Sequence, residues 1–113
     1  MHVLAVYLGS DLGADEVMNS ICGQWFDYYD ECTDDSDWTI GDVQVGCLKT
    51  AGDLRKLGMD VLAKDIEMIV LSNGASYRNP YRLMTQEQMQ QLFALVLANY
   101  EDSQEIVIYD VHI

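Results

Sequence analysis

Lysine and arginine are missing from the first 48 residues of this 113-residue chain, and the whole sequence holds six of them against 19 aspartates and glutamates. The resulting formal net charge of −13 disfavours contact with phosphate backbones and anionic membranes, and it speeds encounters with cationic surfaces. Nucleic acid and membrane are therefore poor ligands for this surface. No apolar run reaches the length of a spanning helix, and residues 1–20 lack the basic start and apolar core of a secretion signal, so the expected compartment is the cytoplasm. Cysteine occurs three times, at Cys22, Cys32 and Cys47, in neither a C-x-x-C pair nor a zinc-ribbon spacing. These read as reduced thiols, with Cys22 and Cys32 acting as small core hydrophobes. Proline occurs once, at Pro80, and histidine twice, at His2 and His112.

Apolar and charged fractions of 50% and 22% are those of a globular protein, and 113 residues suffice for one domain with its own core. His2–Leu8 is a nearly continuous apolar run, as in a strand buried on both faces. From Ala14 to Cys32, apolar residues at Met18, Ile21, Cys22, Trp25, Phe26, Tyr29 and Cys32 recur every three or four positions, which predicts one amphipathic helix. Residues 38–48 alternate in their second half and read as an edge strand. Thr50 can cap a helix interrupted by Gly58, which either divides it or ends it, with Met59–Ala63 then extending as a strand. Ile66–Leu71 is a strand, and Asn73-Gly74 opens a polar segment. Thr85 and Gln88 form a capping box, flanked by Met84 and Met89 at hydrophobic-staple positions, so a helix runs from Gln86 to about Tyr100. Ile106–Val111 is the last strand.

This order, four strands alternating with three helices, predicts a single α/β domain over residues 1–113. A two-layer α+β arrangement with a mixed sheet is the alternative, because three helices are few to cover both faces of a sheet.

Six carboxylates crowd between Asp27 and Asp37, among Trp25, Phe26, Tyr28, Tyr29 and Trp38. On the expected helix, Asp27, Asp30, Glu31 and Asp34 stand side by side near the C-terminal end, where like charges repel and the dipole disfavours anions. Each effect is worth about 0.3–1 kcal/mol at an exposed site. Such a patch has little reason to exist for stability alone. It points to a non-catalytic module that binds a basic protein through Asp27, Tyr28, Asp30, Glu31, Asp34, Asp35, Asp37, Trp38 and Asp42. Tyr28 and Trp38 are the expected exposed anchors, whereas Trp25 and Phe26 fill the core. One specific form is a nucleic-acid mimic that inhibits a nucleic-acid-binding protein, of the anti-defence or nuclease-immunity kind.

Other chemistries are less well supported. Asp35, Asp37 and Thr39 alternate as in an EF-hand, but the glycine at the sixth and the acid at the twelfth loop position are missing. No metal or cofactor is expected. Gly9-Ser10-Asp11-Leu12-Gly13 follows a strand and precedes a helix, yet it lacks a phosphate-binding glycine pattern and is flanked by carboxylates. It reads as a tight turn capped by Ser10 or Asp11. His2 and His112 would face each other if the first and last strands paired antiparallel. Tyr77, Arg78, Tyr81 and Arg82 form the one basic and aromatic cluster, and Arg78 and Arg82 could grip an anion in a small enzyme or anion-binding protein. Formal charge is −10 over residues 1–48, +2 over 49–82 and −5 beyond, a polarity compatible with homo-oligomers.

Overall fold

A computed structural model describes residues 2–21, 26–79 and 82–112. Its centre is β1 (His2–Tyr7), whose residues after His2 are all buried. On one side β1 pairs in parallel with β5 (Ile66–Val70), and on the other it pairs antiparallel with β7 (Val107–His112). The edges are β2 (Tyr28–Glu31), antiparallel to β7, and β6 (Ser76–Arg78), antiparallel to β5. The mixed sheet therefore runs β2-β7-β1-β5-β6. A separate hairpin joins β3 (Thr39–Ile40) to β4 (Val43–Gln44) and leads into a 3-10 turn at Val45–Cys47.

Side-chain alternation divides the core in two. Leu4, Val6, Ile69 and Ile108 pack on one face beneath α2 (Ala51–Leu57), α3 (Met59–Asp65) and α4 (Gln86–Leu97). Val3, Ala5, Tyr7, Met68, Val70, Tyr109 and Val111 pack on the other, with Val17, Met18 and Ile21 in and just beyond the short α1 (Ala14–Ser20). Three of the four helices among the described residues thus share one face. The architecture is closer to the alternative α+β arrangement with a mixed sheet than to strict strand–helix alternation.

Where local chemistry is strong, the expected elements form. Thr50 caps α2 and Thr85 caps α4, each in a reciprocal capping box, with Asp53 and Gln88 respectively. Gly58, at φ +93°, separates α2 from α3, a backbone conformation that side chains with a Cβ rarely adopt. Residues 59–65 are helical, so the possible strand from Met59 does not form.

Four expectations are corrected. The helix expected to reach Cys32 ends at Ser20, and Tyr28–Glu31 is an edge strand instead. Cys22 and Trp25, part of that expected stripe, lie outside the described residues. Residues 38–48 are a hairpin and a turn rather than one strand of the main sheet. The polar segment after β5 contains β6, held by Asn79 N–H donating to the Glu67 carbonyl at 2.7 Å. The turn before α1 has Gly13 at the cap position with no side-chain bond, so neither Ser10 nor Asp11 caps it. Tyr7 instead folds its ring over Gly9, and its hydroxyl accepts the Leu12 N–H at 3.0 Å. No helix among the described residues is long and apolar enough to cross a membrane.

Candidate functional site

At one end of the sheet, β1 and β7 place His2 directly opposite His112, with ring centroids 4.7 Å apart and edge-on. Tyr28 of β2 pairs with His112 across the next strand boundary and stacks on it, at 4.9 Å and an interplanar angle of 3°. Trp38 comes over from the hairpin side, its ring 5.8 Å from His2. Asp110 organises the group: one carboxylate oxygen lies 2.9 Å from His2 Nδ1, and the other accepts the Trp38 indole N–H at 3.1 Å. Asp27 Oδ2 lies 3.1 Å from His112 Nδ1. Four rings therefore form one platform, fixed from both sides by carboxylates. Tyr28 and Trp38 remain 49% and 38% exposed, as anchors for a partner would need to be.

The acidic residues of this segment do not form a helical row, and not all of them share the platform's face. Asp30 and Glu31 are neighbours on a strand and point to opposite faces of the sheet. Asp30 shares the platform's face, where Asp110 stands directly across from it. Glu31 lies on the other face, beside Tyr109, whose hydroxyl is pushed up to about 12, first by burial and then by Glu31. Asp34, Asp35 and Asp37 follow on the loop into the hairpin, and Asp42 sits in the hairpin turn, all exposed. Asp34 makes a solvent-exposed ion pair with Lys49 at 3.1 Å. Among the described residues, Asp30, Glu31, Asp35, Asp37 and Asp42 form no ion pair.

The arginines are used elsewhere. Arg55 reaches from α2 to Asp102 and to the carbonyls of Leu97 and Tyr100, supplying positive charge to the end of α4, whose own last turn has none. Arg82, at φ +57°, bonds the carbonyls of Ala63 and Lys64 at the end of α3 and pairs with Glu67 at 2.9 Å. Strand alternation turns Tyr77 towards α4 and Arg78 towards the α1 face, where the adjoining Ser76 hydroxyl donates to the Ser20 carbonyl. Tyr77, Arg78 and Arg82 thus point in three directions, and Tyr81 lies outside the described residues. Arg78 is also four strands from β2, roughly 19 Å at about 4.8 Å per strand.

Cys32 lies just past β2, half-buried, and burial raises its thiol pKa. Cys47 is exposed. Phe26 is half-buried against the α1-side core, 6.3 Å from Tyr29. Tyr29 donates to Asp15 at 2.6 Å, tying β2 to the first turn of α1, and that bond raises the phenol's pKa. No group of three or more metal-ligating side chains gathers among the described residues.

Sequence reasoning placed Tyr28 and Trp38 but not Asp110 or Asp27 as the groups that hold the two histidines. The histidine pairing itself depended on antiparallel neighbours, a property of topology. Comparison with protein families, with curated proteins and with solved structures found no match to this chain.

Proposed function

We propose that this chain is a non-catalytic acidic module that binds a positively charged protein through the ring platform and the carboxylates around it, in the cytoplasm. The observation that carries this reading is the half-exposed pair Tyr28 and Trp38, with Asp30 on the same face of the sheet as Tyr28 and Asp37 next to Trp38 in the chain, both without an ion-pair partner among the described residues. Large aromatic side chains near the centre of an interface commonly contribute about 2 kcal/mol or more each, while surrounding charges steer the encounter and fix register. The Asp110 bond to Trp38 holds the indole before any partner arrives, which lowers the ordering cost of binding. In its most specific form the module is a nucleic-acid mimic that occupies the binding groove of a basic nucleic-acid-binding protein, as an anti-defence or nuclease-immunity inhibitor would.

The test combines charge reversal at Asp30, Asp35 and Asp37 with Tyr28→Ala. These positions are exposed, so the fold persists, as checked by circular dichroism. Capture of a basic partner from lysate at moderate salt should be lost in both variants. Capture that survives both would make the patch a solubility device only.

A further inference from the structure

A cleft of about 350 Å³ opens on the opposite edge of the sheet, between β6 and α4, where Tyr77, Leu92 and Leu95 meet Asn73, Asn99 and Tyr100. Its size falls in the range of small-molecule sites, about 300–1,000 Å³. It adjoins the loop that follows β5, at the carboxyl end of the parallel β1–β5 pair, where α/β sheets place ligands. Two features of its lining are not explained by folding. Tyr77 is 43% and Leu95 71% exposed, although Leu95 falls beyond the edge of the buried stripe of α4 and could be polar at no cost to the core. Spare hydrogen-bonding capacity also remains at the rim. Asn73 Oδ1 accepts the Ala75 N–H at 2.9 Å, which leaves its amide N–H donors without a partner among the described residues. Asn99 Nδ2 donates to the Leu95 carbonyl at 3.1 Å, which leaves its Oδ1 as an acceptor. Among the described residues, no charged side chain lines the cleft.

We propose that this cleft binds an uncharged, planar heteroaromatic molecule that stacks on Tyr77 and pairs one acceptor with Asn73 and one donor with Asn99. The lack of a charged lining side chain among the described residues argues against a ligand that would bring a charge out of water with nothing to pair it. The exposed ring and leucine supply the flat apolar contact, and the two amides supply orientation. The Tyr100 hydroxyl is already engaged with Ser72, accepting its N–H at 3.1 Å and lying 3.3 Å from its Oγ. This inference is independent of the protein-binding reading.

The experiment is a proton–nitrogen NMR titration of the full chain with adenine and with nicotinamide, using benzoate and benzylamine as charged comparators. Saturable shifts confined to residues 71–77 and 92–100 are expected for the two neutral heteroaromatics. Tyr77→Ala should abolish them. Asn73→Asp, which keeps the turn acceptor and removes the donor, and Asn99→Ala should each weaken binding about fivefold. Leu95→Gln, at an exposed site, provides a second variant expected to weaken binding with an unchanged melting temperature. Absence of saturable shifts overturns the proposal, as do shifts that survive Tyr77→Ala or equal binding by the charged comparators. Shifts of the same amides with protein concentration alone would also overturn it, in favour of a second copy of the chain as occupant.

Discussion

Asp30 of β2 stands directly opposite Asp110 of β7, so two carboxylates share one face of an antiparallel pair beside the ring platform. Asp110 has His2 and Trp38 as partners, whereas Asp30 faces solvent with no ion pair among the described residues. Like charges in this arrangement destabilise a sheet by a few tenths to about 1 kcal/mol. Asp30→Asn should therefore raise stability by about 0.2–1 kcal/mol, read as a higher urea midpoint with an unchanged slope. The gain should shrink at high salt. Loss of stability in this variant would mean that Asp30 has a structural role its surroundings do not reveal.

The acidic loop is positioned by Gly46. A Cβ there would lie 2.6 Å from Asp34 Cα, against backbone that cannot yield by a side-chain rotation. Gly46→Ala should cost about 1–3 kcal/mol and displace residues 33–35 from the hairpin. Equilibrium denaturation gives the first quantity, and amide shifts of Thr33 to Asp35 report the second. A neutral substitution would show that the loop rests on the core without close contact.

Asp53 closes the α2 capping box by accepting the Lys49 and Thr50 N–H groups at 2.9 and 3.0 Å. Those bonds, the Lys49 one foremost, lower its pKa from the ordinary 3.8. A lowered folded pKa means stability that is present above the ordinary value and lost as pH falls through the folded one. Asp53→Ala should cost about 0.3–1.5 kcal/mol at neutral pH. The gap between variant and parent should hold constant down to the ordinary carboxylate value and close only below it, as followed by melts across acid pH.

Glu67 carries the opposite sign. Burial raises its pKa from 4.5, with Arg82 opposing, and its buried Oε2 has no hydrogen-bond partner among the described residues. For a carboxyl whose folded pKa is raised, the stabilising contribution is complete below the ordinary value and disappears as pH climbs through the folded one. Glu67→Gln should match the parent at acid pH and be at least as stable at pH 7. Urea midpoints from pH 4 to 8 test this, and a deficit that grows with pH would show that the Arg82 pair outweighs the burial.

Capping chemistry and apolar continuity were legible in the residues themselves. The Thr50 cap, the Thr85 box, the Gly58 break and the doubly buried first strand follow from interactions between positions close in sequence, which any surrounding fold must satisfy. The acidic segment was not legible in the same way. Phe26, Tyr29 and Cys32 suit helical spacing, but Tyr28–Glu31 gains its hydrogen bonds from β7, about 80 positions away, and that pairing splits Asp30 from Glu31. The cluster of Tyr77, Arg78 and Arg82 separates for a related reason, because alternation along β6 and the carbonyl end of α3 draw these three residues to different places. Composition alone determined that this protein is strongly acidic and short of cations over its first 48 residues. Only the tertiary structure decided which carboxylates stand beside Tyr28 and Trp38, since long-range strand pairing sets which face of the sheet each side chain occupies.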